Sequence, residues 1–264
     1  MDFIFLGTSA AVPSVTRDTT SLVFVGDGGA ILVDCGGSPV QKLRRAGVDP
    51  LTIHHVVVTH LHPDHAYGLP ALVHNLRQLG RTAPLGILCR PEHVEALRTL
   101  LGVFDLWKRS DLFPIEFTAA GNTTGAPGLV SGSLAFTTGI NDHGRMPNLA
   151  VRVDVLANGT GSHSPRSVVY SSDTAPCKSV AELARGADTL IHEATFPDRD
   201  RGRFGVHSSA GEAGGVAKEA GVRRLILAHI EADYHDELGA MAVEARQRFA
   251  GIVEIAREFK PYPI

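Results

Sequence analysis

Cysteine is scarce in this chain of 264 residues, where Cys35, Cys89 and Cys177 are the only three. Three widely separated thiols exclude a disulfide framework and fit a reducing compartment, so all three are expected as core thiols. Excess charge of either sign is lacking too. The 25 Lys and Arg against 28 Asp and Glu leave a net charge of −3, which excludes a general electrostatic trap for nucleic acid; any RNA contact has to be local. No apolar run approaches the roughly 20 residues that span a bilayer. The chain passes from Asp2 straight into Phe3-Ile4-Phe5-Leu6, without the basic start and long apolar core of a signal peptide. The expectation is a soluble, cytoplasmic protein with no membrane partner. Linkers, short-period repeats and low-complexity tracts are missing as well. With 44% hydrophobic and 20% charged residues, the composition excludes disorder and a coiled coil, and one globular domain over residues 1–264 is expected.

What the chain does have is Thr59-His60-Leu61-His62-Pro63-Asp64-His65, three imidazoles and a carboxylate directly after the apolar run Val56-Val57-Val58. Imidazole and carboxylate suit Zn²⁺ and neighbouring divalent metals, and a strand ending in a ligand-rich loop can aim several of them at one point. His60 and His62, two apart, project to one side of an extended segment. Asp64 and His65, past the break at Pro63, turn towards a second point nearby. Two adjacent metals can share such a loop. Surface histidines beside a turn are the plain alternative, but a solvated face rarely interleaves clustered His with Asp.

Strands and helices alternate along the rest. Residues 3–6 read as a strand closed by Gly7, and strands over 22–25 and 30–33 flank the hairpin turn Gly26-Asp27-Gly28-Gly29. Helices are expected over 40–46, 67–79 and 91–101, each followed by Gly, with strands over 55–58 and 85–89 between them. The Gly- and Pro-rich stretch 121–132 reads as a loop. Strands follow over 133–140, 150–156 and 167–171, the last two joined by a polar turn at 158–165, then a helix over 180–185, a strand over 189–192, a helix over 210–220 and a strand over 225–228. His143, Asp173 and His229 fall at carboxyl ends of strands, where α/β folds place their sites. Taken alone, His143 and His229 can equally be satisfied core histidines. Two strand-rich halves with helices on the outer faces predict an α/β fold, a four-layer αββα sandwich.

His60-x-His62-x-Asp64-His65 resembles the signature of the metallo-β-lactamase superfamily of hydrolases, and within it the chain is similar to ribonuclease Z. Phe5-Leu6-Gly7-Thr8-Ser9, Val12-Pro13, Arg17, Val33-Asp34-Cys35-Gly36, Gly68-Leu69-Pro70, Ser172-Asp173-Thr174, His192-Glu193-Ala194-Thr195, His207-Ser208-Ser209 and Ala228-His229 fall in that family's order over nearly the whole chain. The resemblance implies the same αββα sandwich and two divalent metal ions, zinc first and manganese as the alternative. It gives His60, His62 and His143 to one ion, Asp64, His65 and His229 to the other, and Asp173 as the bridge. It also implies Asp34 as support behind the ligand loop, Asp64 as general base besides ligand, and a pairing of Glu193 with His207.

Metal binding lowers the pKa of water to about 7, so the nucleophile needs little further help. The leaving group does need help. A departing alkoxide takes a proton, which His207 held protonated by Glu193 can donate, whereas a phenolate needs hardly any; the pair tilts the reading towards a phosphodiester. The plain alternative makes His207 a helix-start residue beside Ser208, which would cap the helix near Ala210. His192 is assigned to packing or to support of the site. Arg199, Arg201 and Arg203 either bind phosphate in bidentate fashion or belong to a solvated loop, and Arg44-Arg45 and Arg223-Arg224 read as solvated faces.

Two departures separate the chain from ribonuclease Z. Val15 stands where that family carries Lys, and Asp18 where it carries Asn, so a cationic contact is lost and a negative one gained. Only about thirty residues separate His143 from Asp173, too few for the arm that grips the tRNA elbow. Phosphate neutralisation supplies most nucleic-acid affinity, so tight tRNA binding is not expected. The expected function is a binuclear metal-dependent phosphodiesterase acting on RNA ends or on a small-molecule phosphodiester, with no DNA partner and with a homodimer as the assembly the resemblance allows. An arylsulfatase, lactonase or β-lactamase on the same metals, and a metal-binding protein without turnover, are the alternatives.

Overall fold

The computed structural model describes residues 1–156, 166–203 and 205–264. Strands β1 (Asp2–Gly7), β2 (Ser21–Gly26) and β3 (Gly29–Val33) form an antiparallel meander, and the chain then changes to crossovers. Helix α1 (Pro39–Arg45) leads to β4 (Ile53–Val58), α2 (Pro63–Ala66) and α3 (Leu69–Gln78) to β5 (Leu85–Cys89), and α4 (Val94–Val103) to β6 (Ile115–Ala119), with β3 to β6 parallel. The second half repeats this plan. Strands β7 (Ala126–Ser131), β8 (Leu134–Ile140), β9 (Leu149–Val155) and β10 (Ser167–Tyr170) are antiparallel. Crossovers through α5 (Lys178–Ala184), α6 (Ala210–Ala220) and α7 (Leu238–Arg248) then add β11 (Thr189–Glu193), β12 (Arg224–Ala228) and β13 (Ile252–Ile255) in parallel. A last strand, β14 (Pro261–Pro263), returns to the first sheet beside β1. Among the described residues, two seven-stranded sheets result.

The two faces of β1 show why the layers stack as they do. Phe3 and Phe5 point into the cluster between the sheets, with Phe24, Phe136, Tyr170 and Tyr262, while Ile4 and Leu6 point the other way, under α1, α3 and α4. A period of two therefore lays one strand's apolar residues into two cores at once. A third cluster packs α5, α6 and α7 against the outer face of the second sheet. The result is the expected αββα sandwich. Phe136 is 2% exposed; truncating it to Ala would cost about 3–5 kcal/mol.

Three local expectations differ from the structure. The stretch 121–132 is not all loop: residues 126–131 form edge strand β7, whose register shifts between Pro127 and Leu129. Pro and Gly speak against a central strand, but an edge strand tolerates both, and β8 supplies the ladder. Ser208 does not cap α6. Ser209 does, in a capping box with Glu212, while the Ser208 hydroxyl donates to the Thr174 carbonyl at 2.7 Å. Cys35 and Cys89 are buried, but Cys177 is only half-buried, at the start of α5, with its thiol 3.3 Å from the Ser179 hydroxyl. The polar turn expected at 158–165 lies outside the described residues. Among those described, no helix is long and apolar enough to cross a membrane.

Candidate metal centre

Four strand ends build one cluster. His60 follows β4, His143 follows β8, Asp173 follows β10 and His229 follows β12, while α2 carries Asp64 and His65. The backbone turns sharply at two of these places and after β3: Ser172, His229 and Asp34 adopt φ of 52°, 54° and 62°. This left-handed conformation costs a non-glycine residue of order 1–3 kcal/mol, and it persists only where surrounding contacts fix it. Gly36 has no such choice of side chain. A Cβ there would collide with the Asp64 carbonyl, so the turn after β3 packs directly beneath the ligand loop.

The hydrogen bonds around the cluster decide which ring nitrogen of each histidine faces inward. The Thr59 amide donates to Asp34 Oδ1 at 2.8 Å, and the Thr59 hydroxyl lies 2.9 Å from both carboxylate oxygens. A carboxylate only accepts, so the hydroxyl donates to it and can accept from His60 Nδ1–H at 3.1 Å. His65 donates Nδ1–H to Asp34 Oδ2 at 2.8 Å, and His143 donates Nδ1–H to the Val206 carbonyl at 3.1 Å. His60, His65 and His143 are each left with a bare Nε2 turned into the cluster. Hydrogen bonding of the outer nitrogen is how proteins orient imidazoles as metal ligands.

The inner atoms form two groups that meet at Asp173. In one, His62 Nδ1 lies 3.0 Å from His60 Nε2 and 3.1 Å from His143 Nε2. In the other, His65 Nε2 lies 3.1 Å from Asp64 Oδ2, and His229 Nε2 lies 3.7 Å from it. Asp173 Oδ2 sits 3.6 Å from His60 Nε2, 3.3 Å from His65 Nε2 and 3.2 Å from His229 Nε2. Ligand atoms of His60, His62, His143 and Asp173, and those of Asp64, His65, Asp173 and His229, lie within 4.8 Å of one another in each group.

These residues fit divalent cations. His62 Nδ1 carries at most one proton, so it cannot donate to both His60 Nε2 and His143 Nε2, and His65 Nε2, His229 Nε2 and Asp173 Oδ1 are buried without a hydrogen-bond partner. Burial disfavours charge on His229, yet Asp173, Asp64 and Glu193 raise it to about 10, so the carboxylates attract positive charge to this point. For His60 burial wins, and the ring is held well below its ordinary value and so neutral, as a ligand must be. All seven expected ligand positions are brought together.

Beside the cluster stands the second pair. His207 Nδ1–H donates to Glu193 Oε1 at 2.8 Å, with Glu193 fully buried and His207 18% exposed. Burial opposes charge on His207, but the Glu193 hydrogen bond and charge overcome it and raise the ring above its ordinary value. The His207 ring stacks on His229, with centroids 5.5 Å apart, and stands 5.0 Å from that of His143. An imidazole biased towards its charged form therefore stands at the mouth.

Other expected contacts resolve differently. Asp18 presents no free negative charge, because its carboxylate pairs with the buried Lys42 ammonium at 3.4 Å. Arg199 is engaged by Glu237 at 2.6 and 2.8 Å, Arg201 by Asp198 at 2.8 Å and Glu212 at 3.3 Å, and Arg203 reaches the Tyr234 hydroxyl at 3.4 Å. These arginines tie their loop to α6 and to the 231–237 segment. Arg224 is not simply solvated either: it pairs with Glu254 and stacks over Tyr262. Sequence reasoning gave no role to Thr59, Asn148, Ser172 or Thr195. Asn148 donates to the Asp173 carbonyl at 2.8 Å, and Ser172 donates to Thr59 Oγ1 at 2.9 Å. Thr59, Ser172 and Thr195 stand within two residues of His60, Asp173 and Glu193 in the chain, whereas Asn148 has no such neighbour.

Residues 30–230 match the model of the beta-lactamase superfamily domain. Ribonuclease Z of Salinibacter ruber is 31% identical, over 100% of this chain and 94% of that protein, and ribonuclease Z of Methanosarcina mazei is 29% identical, over 95% and 94%. Among solved structures, the metallo-beta-lactamase fold protein YhfI of Bacillus subtilis superposes with a TM-score of 0.80 at 26% identity, covering 99% of this chain and 98% of that one. The short form of human tRNase Z superposes with a TM-score of 0.78 at 23% identity, covering 100% and 99%, a likeness of fold. By its sequence, its sandwich and its order of strand-end residues, the chain belongs to the beta-lactamase superfamily and, within it, to the ribonuclease Z family.

Proposed function

We propose that this protein is a metal-dependent phosphodiesterase with the chemistry of a ribonuclease Z, acting on an exposed RNA end or a small phosphodiester. The observation that carries this reading is the Glu193–His207 pair, 2.8 Å apart, at the mouth of a buried His and Asp cluster. His60, His62 and His143 would hold one divalent ion and Asp64, His65 and His229 a second, with Asp173 between them. Zinc is the proposed ion and manganese the alternative, since imidazole with carboxylate suits both. Such ions activate water and neutralise charge on a phosphoryl oxygen.

The chain's own groups do the rest. Asp64 accepts the proton of the attacking water, and His207 gives its Nε2 proton to the departing oxygen. Glu193 stays ionised throughout: burial opposes its charge, but its hydrogen bond to His207 and that ring's charge hold it below the usual carboxylate range. The four backbone and side-chain donors Thr174 N–H, Thr195 N–H, Ser208 N–H and Thr195 O–H fix its position at 2.8 to 3.1 Å. The 264 residues act in this reading as one catalytic domain, and a homodimer is its proposed assembly.

The test is a panel of purified protein loaded with Zn²⁺ or Mn²⁺ against an alkyl phosphodiester, an aryl phosphodiester, a short RNA with a 3′ extension, an aryl sulfate, a lactone and a β-lactam. Hydrolysis of the diesters and RNA is expected. Turnover of the sulfate, lactone or lactam with none of the diesters would replace this reading.

A further inference from the structure

Two buried carboxylates flank the centre, and each reaches a ligand imidazole through a threonine hydroxyl. On the first side, Thr59 Oγ1 lies 2.9 Å from Asp34 and 3.1 Å from His60 Nδ1. On the other, Thr195 Oγ1 lies 2.8 Å from Glu193 Oε2 and 3.1 Å from His229 Nδ1. The same oxygen is 3.3 Å from His207 Nδ1, so one hydroxyl touches the proposed acid, its carboxylate partner and a proposed metal ligand. That hydroxyl has a single proton. Glu193 can only accept it, which leaves the threonine lone pairs to accept from His229 Nδ1–H and turns the bare His229 Nε2 inward.

We propose that Thr195 is a positioning residue whose hydroxyl fixes the ring and tautomer of His229 and couples that ligand to the Glu193–His207 pair. The inference rests on the reading of His229 as a ligand and of His207 as the acid. Its weight falls on His229. Glu193 keeps three backbone donors besides the Thr195 hydroxyl and His207: Thr174 N–H at 2.9 Å, Thr195 N–H at 3.1 Å and Ser208 N–H at 3.0 Å. His229 Nδ1 has Thr195 Oγ1 as its hydrogen-bond partner among the described residues, in a side chain 2% exposed. Removing the hydroxyl therefore leaves Glu193 anchored and strands a buried ring N–H. The ring can then rotate or move its proton to Nε2, and either change spoils the lone pair that a metal needs.

The chain has two different hydroxyl relays, so their failures separate. Loss at Thr195 weakens the group of Asp64, His65 and His229 and spares that of His60, His62 and His143, in which the Thr59 hydroxyl holds His60 and the Val206 carbonyl holds His143.

The experiment is a Zn²⁺ titration of metal-stripped full-length protein against a chromogenic chelator, for wild type, Thr195→Val, Thr195→Ala and Thr195→Ser. In the Val and Ala variants one of two equivalents should weaken by about 10–100-fold while the other stays within about threefold. Ser, which keeps the hydroxyl, should hold both within about threefold of wild type. Val matches threonine in shape, and Ala serves where Val does not fold. Wild-type affinity for both equivalents in Val and Ala would overturn the proposal, and so would equal weakening of both equivalents or losses in Ser as large as in Val. Because no substrate enters the titration, a protein that shows this pattern but cleaves no diester would sink the proposed reaction and leave the role of Thr195 standing.

Discussion

The Asp18 carboxylate lies 3.4 Å from the Lys42 ammonium, with the lysine side chain 3% exposed and the aspartate 33%. The lysine also donates to the Ser21 hydroxyl at 3.2 Å, and burial pushes it below its ordinary value. An aspartate that would repel RNA if free is therefore spent inside the protein. The two halves of the pair are unequal, because removing one partner of a buried pair leaves the other charge unpaired. Asp18→Asn strands an ammonium in the interior and should cost about 1–3 kcal/mol, below the fully buried range because Asp18 is partly solvated. Lys42→Met strands a carboxylate that water can reach and should cost less. Urea midpoints of the two variants check the order; a larger loss in Lys42→Met would mean that packing of the lysine stem outweighs the ion pair.

Metal content is the second expectation. Protein purified without chelator should carry about two equivalents, since each ion takes three or more protein ligands. Asp173 Oδ2 lies 3.6 Å from His60 Nε2, 3.3 Å from His65 Nε2 and 3.2 Å from His229 Nε2, so Asp173→Ala should lower both equivalents together. Loss of one alone would place Asp173 on a single ion. Stripping the metals should also lower the melting temperature, because ions at 1,000 times their Kd stabilise by about 4 kcal/mol.

The His and Asp cluster was legible in the sequence because imidazole and carboxylate are chemically distinctive and because His60, His143, Asp173 and His229 close strands that the apolar pattern reveals. Apart from Asp34, which holds Thr59 and His65, their supports were not. Thr59, Asn148, Ser172 and Thr195 carry groups that occur everywhere on a protein surface, and only the fold makes them buried bridges. Lys42 was invisible as the partner of Asp18, since helix α1 brings it back across 24 positions of chain. Strand β7 was taken for a loop because Pro127 and Gly128 weaken any local signal, and its place is set by pairing with β8. The cap of α6 slipped by one residue, as Ser208 and Ser209 are chemically alike and only the Glu212 partner distinguishes them.

Binding of RNA follows from what the surface offers. Val15 is fully exposed where a cation would help, Arg199 and Arg201 are engaged in ion pairs, and the described residues between His143 and Asp173 include β9 and β10. A full precursor tRNA and a short acceptor-stem mimic should bind with similar, weak affinity and a shallow salt slope, because each neutralised phosphate adds about one unit of slope. Arg199→Ala should change either affinity by less than about threefold, as expected of an exposed ion pair. A strong preference for full-length tRNA with a steep slope would reveal a phosphate-binding surface elsewhere on the molecule.

The most direct test of the account compares His207→Ala on two diesters that differ only in leaving group. His207 stands 2.8 Å from Glu193 at the mouth of the centre, and in the proposed reaction it protonates the departing oxygen. On an alkyl phosphodiester, whose alkoxide cannot leave without a proton, kcat should fall by about 10²–10⁴-fold. On a nitrophenyl phosphodiester, which leaves unaided, the loss should be less than about tenfold, with the metal content of the variant unchanged. Equal losses on both substrates would contradict the assignment of His207 as the acid, and with it the reading of this centre as a phosphodiesterase built for poor leaving groups.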